Sequence, residues 1–328
     1  MKLQTRDVFE TMRADLDLVD ERVARFGAVD FPIVSELVAD IVQAGGKRLR
    51  PMILLLAGRA FNGDIDRLVT AAAGVELLHI ASLIHDDSID RAAIRRGKPT
   101  LNSRLNSGAV ILVGDYLFAQ SAMLAAATNI NRVVSIFAST LGDICDGQLR
   151  EMFDAHRLDQ KQADYERRIF GKTASLFAGS AEMGATIGEA DAASVAAMRR
   201  FGENFGMAFQ IMDDVLDLRE STLDLGKPSG NDLRQGTVTL PIMRFAAMLS
   251  PASPDFRLLE NVISGERDAE ADVDRLVTMI RDSGAIEESI SEAERFVEIA
   301  KGCLTLVPDP TTRSMLREIA DSALGRIP

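Results

Sequence analysis

The amino-acid sequence predicts an all-α fold, and three observations carry that prediction. No proline occurs between Thr100 and Lys227, so this whole stretch can run in long helices without a break. Apolar residues within it recur at helical spacing, as in Leu112, Tyr116, Ala119 and Met123. Alternating β-branched runs are scarce, while Ala, Leu, Met and Arg, all good helix formers, are abundant. Helices of about 20–30 residues would extend roughly 30–45 Å, long enough to wall a deep tunnel. There are no internal repeats and nothing along the chain reads as a linker, so residues 1–328 are expected to form one domain.

Composition narrows the function classes. With 47% hydrophobic and 26% charged residues, the chain falls among globular proteins. Its 37 Lys+Arg against 49 Asp+Glu give a formal charge of −12, which argues against general binding to nucleic acid or anionic lipid. An anionic substrate would have to be captured by local basic clusters. Cys145 and Cys303 are too few for a disulfide framework and suit a reducing, cytoplasmic setting. Cys145, His85 and the methionines read as buried packing or structural residues. Met1 to Asp20 is polar, which predicts no signal peptide. The most hydrophobic stretch, Leu68 to Ile84, is interrupted by Glu76 and His79 and is expected to fall short of a transmembrane segment.

The chemistry-bearing elements follow in chain order. GGKRLRP places Lys47, Arg48 and Arg50 after two glycines that let backbone approach a ligand closely. The apolar run LLHIASLIH then leads into DDSID, whose Asp86 and Asp90 lie one helical turn apart with Asp87 alongside. Like charges so placed repel unless a cation sits between them, and carboxylate oxygens at this spacing suit Mg2+. One such run in a chain rich in Asp is weak evidence, because a solvated acidic face looks the same. RRGKP follows with Arg95 and Arg96, and GKTASLF brings Lys172 and Thr173. A second copy, DDVLD, then places Asp213, Asp214 and Asp217 behind the apolar pattern FGMAFQIM. Two clusters, each following an apolar helix, suit several Mg2+ ions around one diphosphate. Ser221 to Thr237 is rich in Gly, Pro, Asn and Asp and reads as a loop, placed to act as a lid carrying Lys227. The scattered Lys and Arg gain meaning in combination, since both recognise phosphate.

In the order and spacing of these elements, from GGKRLRP through GDYLFA and FQIMDDVLD to GKPSGNDLRQGTVTLP, the chain resembles the trans-isoprenyl (polyprenyl) diphosphate synthases, and among them the long-chain octaprenyl and decaprenyl types. The resemblance implies an isoprenoid synthase-type helical bundle around a deep central cavity, usually a homodimer. It implies that isopentenyl diphosphate is added repeatedly to an allylic diphosphate by Mg2+-assisted ionisation, with three ions per site, for the side chain of ubiquinone. By resemblance, Asp86, Asp90 and Asp213 are the direct metal ligands, and Asp87, Asp214 and Asp217 support them or bind the metal through water. Lys47, Arg50, His79 and Arg96 would take isopentenyl diphosphate, and Arg95, Lys172 and Lys227 the allylic diphosphate. Thr173 and Gln210 would face the reacting carbons. Where many relatives carry GKxTLP this chain has GTVTLP, so Thr237 stands in place of a lysine. Ser82 lies one turn before Asp86 with Ala81 adjacent, and these small residues are expected to leave a tunnel open. Phe137 and Ile144 are candidates for its floor.

Other readings lack the required parts. A class I terpene cyclase usually has neither GGKRLRP nor a second complete DDxxD. A non-catalytic partner subunit usually has degraded acidic motifs, and both are intact here. A di-iron carboxylate bundle would want two Glu-x-x-His pairs, and the sequence has a single one, Glu76 with His79.

Overall fold

The computed structural model describes residues 5–26, 30–43, 48–95, 97–219, 229–267 and 269–325. Among them helices dominate, and the only paired strands are the two-residue β1 (Ile94–Arg95) and β2 (Lys98–Pro99), which form an antiparallel hairpin. The proline-free stretch forms the expected long helices. Three of these are α5 (Ser107–Ala127), α6 (Asn131–Asp154) and, after two shorter helices, α9 (Ala192–Arg219), with 21, 24 and 28 residues.

The chain packs into two compact units. The first comprises Met1–Leu141, Leu176–Gly202 and Cys303–Ile319. It contains α1 (Thr5–Phe26), α2 (Pro32–Gln43), α3 (Leu49–Arg59) and α4 (Ile65–Ile89). Helix α4 is its central element, packed against α1, α3 and α5. Asp64 starts it by accepting a hydrogen bond from the Arg67 amide at 2.9 Å. Leu68, Val69, Val75, Leu77, Leu78, Ile80 and Ile84 then bury on several faces, as befits a helix surrounded by others. Contrary to the sequence expectation, α4 and α5 both reach the length and hydropathy of a membrane span. Most of α4's apolar window is buried inside the protein, as in the core helix of a globular unit. His85 serves structure as expected, with its Nε2 3.1 Å from the Ile111 carbonyl and its ring edge-on to Phe118.

Helix α5 revises the meaning of its sequence pattern. Val110, Val113, Leu117 and Leu124 bury, whereas Leu112, Tyr116, Ala119 and Met123 all lie at the surface, Leu112 being 68% exposed. The helix is apolar on both sides, so periodicity identified it without telling inside from outside.

The second unit comprises Gly142–Ser175, Glu203–Gly302 and Ala320–Pro328. It holds α7 (Gln162–Ile169), the helical turn α10 (Asn231–Arg234), α11 (Leu240–Met248), α12 (Pro254–Ile263), α13 (Glu270–Asp282) and most of α14 (Ala285–Cys303). Ser253 caps α12 by accepting from the Phe256 amide at 3.1 Å. A π turn, Phe170–Ala174, follows α7 directly and runs into α8 (Ser175–Ile187); α15 (Pro310–Ser322) completes the described helices. Two further expectations change. Cys145 is exposed on α6 rather than buried. The segment 231–234, read as loop, forms a helical turn because Asp217 caps it.

Candidate active site

In the first unit the site is organised by one face of α4. Glu76, His79, Leu83, Asp86 and Asp90 follow at steps of three and four residues and so share that face. The basic motif meets it from α3. Arg48 takes a left-handed backbone, φ 45°, immediately before α3, and its guanidinium pairs with the buried Glu76 and with Asp20, the latter at 2.8 Å. Arg50 Nη1 lies 3.3 Å from His79 Nε2, and its guanidinium stacks 4.2 Å from the centre of the Phe177 ring. Arg50 and His79 are therefore brought together. Lys47 and Arg96 lie outside the described residues.

The acidic run closes α4. Asp86 is half-buried, Asp87 buried and Asp90 exposed at the C-cap. Asp87 Oδ1 accepts from Arg95 Nε at 2.7 Å, so a cation carried by the β-hairpin already compensates this carboxylate. Ala81 is fully buried, and with Gly74, Leu78 and His85 it belongs to the α4 face packed on α5. Ser82 is half-buried and sits only about 40° around the helix from Asp86.

In the second unit the GKT sequence lies on the π turn, an irregularity that recurs at functional sites. Close backbone packing fixes it in place. A side-chain carbon on Gly147 of α6 would stand 2.2 Å from the Lys172 amide nitrogen, and one on Gly171 would stand 2.7 Å from the Asp143 carbonyl. Lys172 pairs with Glu151 of α6. Thr173 donates to Gln210 Oε1 at 2.6 Å, Gln210 donates to Asp214 Oδ1 at 2.8 Å, and Tyr165 donates to Asp214 Oδ2 at 2.7 Å. Arg168, buried beside Tyr165, donates to the Val238 carbonyl at 2.6 Å and holds the GTVTLP strand of chain. Asp217 accepts the Asn231 and Asp232 amides at 3.2 and 3.1 Å. Lys227, in the predicted lid, lies outside the described residues, and Thr237 is half-buried with its amide bonded to the Asp232 carbonyl.

Electrostatics mark this acidic group as short of positive charge. Burial pushes the Asp214 carboxyl up to about 7, against the pull of the Tyr165 and Gln210 hydrogen bonds and the Arg168 charge. Burial also holds Asp232 well above the usual carboxylate range, and the charges of Asp217, Asp214 and Glu151 add to the effect. Tyr165 is raised by burial and then by Asp214. Among the described residues no three acidic, His or Cys side chains converge on one point.

Glu151, Tyr165, Arg168 and Asp232 are members of this group that sequence reasoning missed. Their one readable signal is position: Tyr165 stands seven residues before Lys172, and Asp232 lies inside the segment taken for a lid.

The chain is similar to known proteins over nearly all of its length. The polyprenyl synthetase family model matches residues 31–280. A heptaprenyl diphosphate synthase component 2 of Geobacillus stearothermophilus is 36% identical over 326 residues, covering 98% of each chain. An octaprenyl diphosphate synthase of Haemophilus influenzae is 30% identical, covering 95% of this chain and 94% of its own. Among solved structures, a polyprenyl synthase from Caulobacter crescentus, complexed with calcium and isoprenyl diphosphate, superposes with a TM-score of 0.93 at 34% identity, covering 99% of each chain. A decaprenyl diphosphate synthase from Rhodobacter capsulatus gives 0.92 at 32% identity, again over 99% of each.

Proposed function

The chain belongs to the polyprenyl synthetase family and is a trans-prenyl diphosphate synthase, and from that premise we propose that it makes long all-trans products by adding isopentenyl diphosphate repeatedly to an allylic diphosphate. The observation that carries the site assignment is the π turn, which sets a phosphate-binding cation, Lys172, next to Thr173, a hydroxyl whose proton is directed at Gln210.

The proposed metal is Mg2+, three ions per site, with Asp86, Asp90 and Asp213 as direct ligands. Asp87, Asp214 and Asp217 support them and are themselves held by Arg95, by Tyr165 with Gln210, and by two backbone amides. When bound, such ions supply positive charge against the diphosphate oxygens. The side chains do the rest. Arg95, Lys172 and Lys227 grip the allylic diphosphate while its C–O bond breaks and the diphosphate leaves with the electron pair. Lys47, Arg50, His79 and Arg96 hold isopentenyl diphosphate so that its double bond attacks the allylic cation. A carbon–carbon bond forms, and loss of a proton to the released diphosphate restores an alkene. Thr173 and Gln210 face the cationic carbon, and apolar walls exclude water.

For product length the proposal is about eight to ten isoprene units, which helix walls of roughly 45 Å accommodate. The relatives' names run from heptaprenyl to decaprenyl, with a geranylgeranyl pyrophosphate synthetase of Pyrococcus horikoshii among the similar solved structures. Ser82, beside Asp86, is the better gate; Ala81 packs toward α5, and Phe137 and Ile144 bury along α6. The product would serve as the side chain of ubiquinone, made in the cytoplasm. Residues 1–328 would act as one catalytic domain in a homodimer, the exposed apolar face of α5 (Ile111, Leu112, Tyr116, Met123) being covered by a second copy. Two relatives are named as a component 2, which favours a second reading in which a different subunit covers that face.

Incubation with Mg2+, isopentenyl diphosphate and farnesyl diphosphate, followed by product sizing, tests the function. Failure to consume isopentenyl diphosphate in a dimer of the expected mass sinks the homodimer reading, and activity appearing only with an added subunit supports the second. Ser82→Phe should shorten the products to about three to five units while sparing the first condensations, because the ring would obstruct a tail running one turn along α4.

A further inference from the structure

The hydrogen bonds linking four side chains of the second unit all run toward one acceptor. Tyr165 and Gln210 both donate to Asp214, and Thr173 donates to Gln210. An amide has a donor end and an acceptor end, and an ionised carboxylate, the form in which both Asp214 oxygens accept as they do here, offers only acceptors. With its NH2 committed to Asp214, Gln210 must turn its oxygen to Thr173. That oxygen takes the Thr173 proton, so the hydroxyl presents its lone pairs on its other side. A reversed amide would set its oxygen against the Asp214 carboxylate, two acceptors in contact, and would donate to Thr173. The hydroxyl proton would then be released outward. The two arrangements offer an electron-poor carbon opposite ends of the same O–H dipole.

We propose that Tyr165 and Asp214 are positioning residues that fix the direction of this row, so that Thr173 meets the developing allylic cation with its oxygen and not its proton. The inference rests on the placement of Thr173 beside the reacting carbons argued above. It assigns Asp214 to orienting the amide rather than to binding metal. Tyr165 is suited to hold Asp214 because its ring is fully buried and lies against the Arg168 guanidinium, 5.4 Å from the ring centre, which leaves its hydroxyl little freedom. Gln210 and Asp214 are one turn apart on α9, so a regular helix keeps the inner pair aligned.

The test uses the full-length enzyme with Mg2+, isopentenyl diphosphate and farnesyl diphosphate. Tyr165→Phe should lower kcat about tenfold, equivalent to about 1.4 kcal/mol of barrier, with both KM values and the Mg2+ half-saturation unchanged. In a Thr173→Val background, which has no hydroxyl to direct, the same change should cost less than about twofold. Equal losses in the two backgrounds would reduce Tyr165 to packing, and a shifted Mg2+ half-saturation would return Asp214 to the metal; either overturns the proposal, as does an unchanged kcat. Should Tyr165→Phe not fold, Asp214→Asn serves instead. Its amide can donate to Gln210 and reverse the row, so the loss should exceed about tenfold in the wild type and nearly vanish with Thr173→Val. A loss of the same size in both backgrounds again refutes it. A wild type that condenses nothing sinks the proposed function, whereas an active wild type with an indifferent Tyr165→Phe sinks only this inference.

Discussion

The DDxxD pattern occurs twice in the chain, and the two copies are held by opposite means. In DDSID the middle carboxylate, Asp87, meets a full positive charge, Arg95, delivered by a surface hairpin, and the last, Asp90, ends its helix in the open. In DDVLD the middle carboxylate, Asp214, is buried among neutral donors, and the last, Asp217, is occupied by two backbone amides. Identical spacing therefore sets only where the Cα atoms stand along a helix. What each oxygen does depends on partners supplied from elsewhere in the chain. The difference appears in the electrostatics, since Asp214 and Asp232 are raised by burial beside other acids.

The largest expected effect lies where the two copies should still agree. Asp86→Ala and Asp213→Ala should each lower turnover at saturating Mg2+ by about a thousandfold or more, about 4 kcal/mol of barrier, with the fold intact by circular dichroism. Near-normal turnover in one of the two would break the equivalence of the first carboxylates.

A smaller effect separates the substrates around the first copy. Arg50→Ala removes the guanidinium from His79 and Phe177 and should cost about 2–3 kcal/mol in kcat/KM for isopentenyl diphosphate, leaving the allylic KM unchanged. If only the allylic KM rises, the two binding assignments are reversed.

The smallest effect sharpens the contrast itself. The Arg95–Asp87 pair is partly exposed, so Arg95→Gln should lower the melting temperature by only about 1–3 °C, and by less in molar salt. The loss from Tyr165→Phe should be the same at both salt concentrations, because a buried neutral donor is not screened. Equal salt sensitivity in the two melting series would erase the distinction.

Much of this was legible in the sequence because the signals are local. The long helices follow from missing prolines and periodicity, and the alignment of Asp86 with Asp90 or of Gln210 with Asp214 follows from a four-residue step. Partners at long range left no such trace. Tyr165 and Asp214 are 49 residues apart and Thr173 and Gln210 are 37 apart, and nothing in a lone Tyr announces a carboxylate that far away. The face of α5 was invisible for another reason: an apolar stripe reads the same in a core as on an uncovered surface. Ala81 and Ser82, adjacent in sequence, diverge because one helical step turns them toward different neighbours. The composition of 231–234 said loop, and the capping by Asp217 overruled it.

The π turn places a constraint on counting. Tyr165 and Thr173 are eight residues apart, which in a regular helix leaves them about 80° out of phase. The wider turn over Phe170–Ala174 spends more residues per revolution, so the phase error shrinks and both hydroxyls can reach the α9 pair, Gln210 and Asp214. Seven residues of regular α-helix would turn about 700°, only about 20° short of two full revolutions, so the π turn amounts to one extra residue taken up without losing the phase of the two hydroxyls. What that extra residue supplies is local: it widens the backbone under GKT, so a single-codon deletion here should leave Tyr165 and Thr173 in step while removing the widened turn that carries Lys172.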